Sequence, residues 1–147
     1  MFKHILLPTD GSPVANKAVK AGIKLARELG ARVTGYYALE RVPPPVYAEG
    51  YIPDPQTLAT WDRVTEEYAD KQIDAMQKLA KAARVRFQGI SAKADTPAEG
   101  IVRVARSRGC DAIFMASHGR SGIAKLMMGS VTDRVIRTSS VPVIVYR

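Results

Sequence analysis

The stretch ASHGRSGIAKLMMGSV, residues 116–131, concentrates residue types that hold anions. Gly119 and Gly122 free the main chain for conformations closed to other residues and let a ligand approach backbone N–H groups. Gly129 precedes Ser130, whose hydroxyl is placed to cap a following helix, with Asp133 at capping-box spacing. A helix N-terminus carries unpaired N–H groups and the positive end of its dipole, a natural seat for phosphate. Arg120 and Lys125 add positive charge beside it. The competing reading is structural, a tight turn and a capped helix that hold nothing. Local chemistry leaves both open. Standard phosphate motifs do not decide, because Gly119 and Gly122 fail G-x-G-x-x-G and no G-x-x-x-x-G-K-[ST] occurs. His118 has no Cys, His or Glu at ligand spacing, so no metal site is expected. Dedicated catalysis is not expected either, since no Ser-His-Asp order, carboxylate pair or H-E-x-x-H is present.

Charge bears on which partner such a segment would meet. The chain has 147 residues and a formal net charge of +8. Between Ile101 and Arg147 eight Arg or Lys oppose two Asp. Such a balance favours anionic partners or simply a solvated basic surface. Nucleic acid is the weaker anion candidate, because the cations lie among apolar helical positions without the aromatic interleaving of a stacking platform. No run approaches the roughly 20 apolar residues that cross a bilayer, so no membrane partner is expected. The apolar run at the N-terminus is too short for a signal peptide, and one cysteine, Cys110, suits a reducing cytoplasm.

The elements that would position the segment follow from periodicity. His4–Leu7 is a short strand stopped by Pro8 and the turn Thr9-Asp10-Gly11. Ser12-Pro13 opens a helix that Gly30 ends. Arg32–Leu39 has the β-branched and aromatic character of a strand. From Glu40 to Pro55, five prolines argue against regular structure and suggest an excursion loop, either a lid or a partner surface. A long helix from about Gln56 to Ala83 carries Trp61, Val64, Tyr68, Ala69, Ile73, Met76 and Ala80 in a stripe that core packing would explain. A third strand is expected over Val85–Ala92 and a helix opening at Thr96-Pro97. A buried fourth strand spans Asp111–Ala116. A short helix begins near Ser130, and Val141–Tyr146 forms the fifth strand. This βα alternation over one domain, residues 1–147, predicts an α/β fold, an open five-stranded parallel sheet with helices on both faces. In such sheets ligands bind beyond the carboxyl ends of the strands, where strand order reverses. Three turns should meet there: Pro8 to Ser12, the chain beyond Ala38, and Ser117 onward.

Four motifs, ILLPTDGSP (residues 5–13), DAIFMASHGRSG (111–122), LMMGSVTDRVI (126–136) and VPVIVY (141–146), resemble the universal stress protein family over essentially the whole chain. The resemblance implies a Rossmann-like fold akin to that of adenine-nucleotide α-hydrolases, and a stress-response sensor or regulator that binds ATP or a related adenine nucleotide, with or without Mg²⁺. Nucleotide-binding members carry glycine, two residues and glycine, then nine residues and Gly-Ser or Gly-Thr. Gly119, Arg120 to Met128 and Gly129-Ser130 match this pattern; Ala116 stands where it has its first glycine. By the same resemblance Pro8, Thr9 and Asp10 flank the adenine and ribose, and the backbone of Ala38 reads the adenine edge. Ala116, His118, Gly119, Arg120 and Gly122 lie along ribose and phosphates, and Gly129, Ser130 and Val131 hold the phosphates. Bare structural roles compete at Asp10, as a turn former, and at Ala38, as core. Slow ATP hydrolysis stays open, although no residue is an obvious base for activating water. Family members that lost the glycine motif act through protein contacts alone, and Ala116 is a partial step that way. Dimers through the last strand are common in the family, so a homodimer through Val141–Tyr146 is expected.

Overall fold

A computed structural model describes residues 1–40, 53–119 and 128–147. Nine elements alternate: β1 (His4–Thr9), α1 (Pro13–Leu29), β2 (Arg32–Glu40), α2 (Pro55–Ala82), β3 (Phe87–Ala94), α3 (Pro97–Ser107), β4 (Ala112–Ala116), α4 (Ser130–Thr138) and β5 (Val143–Tyr146). All pairings are parallel, in the order β3-β2-β1-β4-β5. The pleat sorts the core into two. Ile5, Leu7, Val33 and Phe114 pack with α1 and α2 on one face. Leu6, Tyr36, Ile113 and Met115 pack with α3 and α4 on the other. Sheet order reverses at β1, whose two neighbours diverge in extent. The β1–β2 ladder runs from His4↔Arg32 to Thr9↔Tyr37, whereas the β1–β4 ladder consists of Ile5↔Ala112 and Leu6↔Ile113. Beyond Leu6 the two strands part.

Pro8 does not stop β1, as its type suggested. It lies within the strand, opposite Tyr36. A proline there costs little on the β4 side, where the ladder has already ended and no partner needs its missing N–H.

Helix ends follow local chemistry closely. Ser12 Oγ accepts from Ala15 N, Asp54 from Gln56 N and Thr57 N, and Thr96 Oγ1 from Glu99 N, each just ahead of a first-turn proline. Gly30, Arg84 and Gly109 then take positive φ, and the next amide bonds back five residues, for example Ala31 N to Ala26 O at 2.8 Å. Arg84 is the non-glycine exception, with φ 57°. That turn carries Val85 into the core as a loop residue, so β3 begins two residues later than expected, at Phe87. The region expected to be irregular is likewise trimmed: Glu40 ends β2, and Asp54 and Pro55 start α2, while residues 41–52, including the expected lid or partner surface, lie outside the described residues.

The α2 stripe departs most from expectation. Ala69, Met76 and Ala80 are buried, but Trp61, Val64 and Tyr68 are 41%, 52% and 38% exposed. Length explains it. A helix of 28 residues is about 42 Å long, against about 26 Å for the eight-residue β3 beneath it, so one end must overshoot the sheet.

At the opposite edge of the sheet from the strand ends that form the cleft, His4 is buried and its Nε2 lies 2.8 Å from Thr34 Oγ1. Nearby, burial pushes the Cys110 thiol up to about 11. Burial, reinforced by the Arg32 guanidinium, holds His4 below its usual 6.5. The folded chain therefore keeps His4 neutral where the unfolded chain already takes up a proton. Its contribution to stability is complete above about pH 6.5 and is lost as pH falls from there through the folded value. Urea midpoints of the native chain should fall between pH 7.5 and 5.5, and those of H4Q should fall less; equal slopes would assign the pH dependence elsewhere.

Candidate functional site

Where β1 and β4 part, a cleft of about 280 Å³ opens. Its walls come from the carboxyl ends of β1, β2 and β4 and the starts of α1, α3 and α4. Of the sequence-predicted residues, Pro8, Thr9, Asp10, Ala38, Ala116, His118, Gly119, Gly129, Ser130 and Val131 all line it. Arg120 and Gly122, with Lys125, lie outside the described residues. Of the three turns expected to meet, the described parts do so: Pro8 to Asp10, Ala38 and Glu40 at the end of β2, and His118 and Gly119 after β4.

Each wall is fixed by hydrogen bonds that its own sequence supplies. Asp10 Oδ1 accepts from Ser12 N at 2.9 Å, and Thr9 Oγ1 accepts from Gly11 N at 3.1 Å, so the first turn locks itself. The turn-forming role of Asp10 is therefore real, and it leaves the second oxygen directed at the opposite wall. A Cβ added to Gly119 would stand 2.5 Å from Asp10 Oδ2. Gly119 thus allows the β1 carboxylate and the β4 loop to approach. On the far side, Ser117 N donates to Tyr146 O, Gly129 N donates to Ser117 O at 2.8 Å, and Thr132 Oγ1 donates to Ala116 O at 2.9 Å. These bonds tie both ends of the loop after β4 to the start of α4. Ser117 Oγ and His118 Nδ1 share a hydrogen bond at 2.9 Å on the rim.

The start of α4 corrects one expectation. Gly129, not Ser130, is the N-cap residue, and the helix has no side-chain cap bond. Asp133 is turned to Arg137, 3.0 Å away, rather than back to the cap. Among the described residues α4 is the one helix without a side-chain cap bond, and its first residues, Ser130 to Thr132, line the cleft with Gly129, as do Ala15 of α1 and Pro97 of α3, whose helices are capped.

Ala116 sits where the resemblance implies a glycine. The residue is buried and belongs to the core cluster on the α1 face. The cleft also takes in residues that motif reasoning passed over: Ala15, Tyr36, Tyr37, Glu40, Pro97, Ile101, Met115 and Thr132. A signal existed for some of them. Tyr36 shares the pleat parity of Ala38, and Pro97 opens the helix that follows β3 at the same sheet edge. Tyr36 is fully buried, its hydroxyl directed to Ala92 O at 3.4 Å, and burial raises its pKa above 10. Gly100 makes room for that hydroxyl.

The sequence profile described as "Universal stress protein family" matches residues 1–147. The chain belongs to the universal stress protein family. Universal stress protein MJ0531 of Methanocaldococcus jannaschii is 31% identical over 150 residues, which cover 100% of this chain and 83% of that protein. The solved structure of MJ0577, from the same organism, has a TM-score of 0.78 at 26% identity, over 99% of this chain and 95% of that one. Two further universal stress proteins share the fold. One was solved in complex with cAMP (TM-score 0.73, 20% identity, 99% and 97% covered). The other, from Archaeoglobus fulgidus, was solved in complex with dAMP (TM-score 0.67, 17% identity, 100% and 98% covered).

The walls of this universal stress protein differ in how they would tolerate a methyl group. At Gly129 a Cβ would lie 3.0 Å from His118 Cα and 3.3 Å from Ser117 O, both backbone atoms that cannot give. At Gly119 it would stand 2.5 Å from Oδ2 of Asp10, a carboxylate whose other oxygen is held by Ser12 N. Overpacking of the first kind costs about 1–3 kcal/mol. G129A should therefore lower the unfolding free energy by that amount, read as a fall in the urea midpoint at unchanged slope; an unchanged midpoint would contradict the geometry.

Proposed function

We propose that this chain binds an adenine nucleotide, ATP or a close relative, in the cleft between β1 and β4, and works as a nucleotide-dependent regulator rather than a dedicated catalyst. The uncapped N-terminus of α4 carries the reading. Its first-turn amides and dipole supply the donors and partial positive charge that a phosphate needs, and Gly129 keeps the approach free of a side chain. The adenine end would rest on the apolar wall of Ala38, Ile101, Met115 and Val131, with Asp10 beside the ribose. Such a division, apolar wall and few convergent polar groups, is usual for small-molecule sites. Mg²⁺, where present, would bridge the phosphates. Two relatives of the same fold were solved with cAMP and dAMP, which supports an adenine nucleotide as the ligand class. The methyl of Ala116, packed with the core, leaves the glycine departure compatible with binding.

The test is direct. Gently purified protein, denatured and analysed by mass spectrometry, should release an adenine nucleotide. ATP at about 100 times its dissociation constant should stabilise the chain by about 2.7 kcal/mol. No adenine compound together with no thermal shift at millimolar ATP would leave a family member that acts through protein contacts.

Assembly belongs to the same proposal. β5 is an edge strand with one ladder, to β4, and its Val143, Ile144, Val145 and Tyr146 are half-buried. An apolar edge invites pairing with a second copy. Light scattering should return twice 16.0 kDa for the native chain. A mass of one chain at micromolar concentration would contradict the dimer.

A further inference from the structure

On the outer face of α3 and α4, away from the cleft, lies a groove lined by Glu99, Val102, Arg103, Arg106, Arg134 and Thr138. The two helices pack against each other. Positions 99, 102, 103 and 106 form one helical stripe, opposite the buried Ile101, Val104 and Ala105, while 134 and 138 form another, opposite Val135. Three guanidinium groups therefore face one carboxylate. Glu99 pairs with Arg134 at 3.2 Å, but both side chains are more than half exposed, so the pair is weak and readily exchanged. Arg103 donates to the neutral carbonyl of Lys93 at 2.8 Å and to the Tyr36 hydroxyl, which anchor the side chain, and makes no ion pair among the described residues. Arg106 makes no ion pair among the described residues.

We propose that this groove docks a short acidic segment of another protein, one that presents Asp or Glu carboxylates. The proposal stands independently of the nucleotide reading. Arginine forks match carboxylates bidentately, and three of them at separate points read a row of carboxylates rather than one compact anion. A single phosphate would instead need donors that converge, and these stand on two different helices. Nucleic acid fits less well, because the groove has no aromatic residue for stacking and offers three cations where a non-specific duplex site uses roughly 6–10 phosphate contacts. The half-buried Val102 gives the stem of an acidic side chain an apolar floor. An 11-residue helix is about 16 Å long, which accommodates about five residues of extended chain.

The probe is a fluorescein-labelled hexaglutamate peptide, followed by anisotropy with the full chain at low and physiological salt, without nucleotide. Binding should weaken as salt rises. R106E/R134E should bind at least about tenfold more weakly, and the uncharged R106Q/R134Q should lie between it and the native chain. K17E/K20E changes net charge equally on exposed α1 positions and should bind like the native protein. No peptide binding at low salt, or equal loss in both charge-reversed variants, would overturn the proposal. So would tighter binding of an oligothymidylate of the same charge that depends on Arg106 and Arg134, which would make the groove a nucleic-acid surface. All substituted side chains are exposed, and circular dichroism checks that each variant is folded.

Discussion

The parting of β1 and β4 is the constraint from which the rest of the molecule follows. Once β2 and β3 are laid on one side of β1, the fourth strand can pair only on the other side. Right-handed crossovers then send α1 and α2 to one face and α3 and α4 to the other. The chain leaving β1 turns towards one face while the chain leaving β4 turns towards the opposite one. Neither can fill the space between them. The short β1–β4 ladder, ending at Leu6↔Ile113, records the same fact in hydrogen bonds, and so does the tolerance of Pro8 just beyond it.

A crevice becomes a site only when its walls hold still, and here they are held from behind. Thr132 and Gly129 tie the start of α4 to the end of β4, and Ser117 ties that strand end to β5. The first turn is held by its own Thr9 and Asp10. Among the described helices, α1, α2 and α3 have a capping side chain and a leading proline, and α4 has neither, although α1 and α3 reach the same cleft. Local rules are usually broken where function has a use for the broken place.

The same two helices serve two surfaces. Their first turns line the cleft with Pro97, Ile101 and Ser130 to Thr132, while their outer stripes carry the arginines of the basic groove. The positive charge of the C-terminal third is thus more than a diffuse excess. Part of it is gathered by helix packing into one exposed face, where, among the described residues, ion pairing with Glu99 reaches one of three guanidiniums.

Much of this was readable in residue order, because the information is local. Ser12-Pro13 and Thr96-Pro97 cap helices through atoms three residues away, and Gly30 and Gly109 end them through their own backbone freedom. The alternation of such units implies the parallel sheet, and the sheet implies the edge at which Pro8 to Asp10, Ala38, Gly119 and Gly129 to Val131 gather. The residues alone could not show that Ser130 yields its capping place to Gly129, since that depends on Gly129 N reaching Ser117 O from across the loop. Nor could they show that Trp61 and Val64 miss the core while Tyr68 meets it edge-on at Tyr37, because periodicity marks a face of α2 but not where the sheet beneath it ends. The joining of Arg103 and Arg106 to Arg134 likewise waits on how α3 packs against α4. The sequence by itself determined the elements, their caps and the chemistry each carries, through contacts within a few residues. Tertiary structure decided which of those chemistries share a surface, because only packing sets distances between residues far apart in the chain.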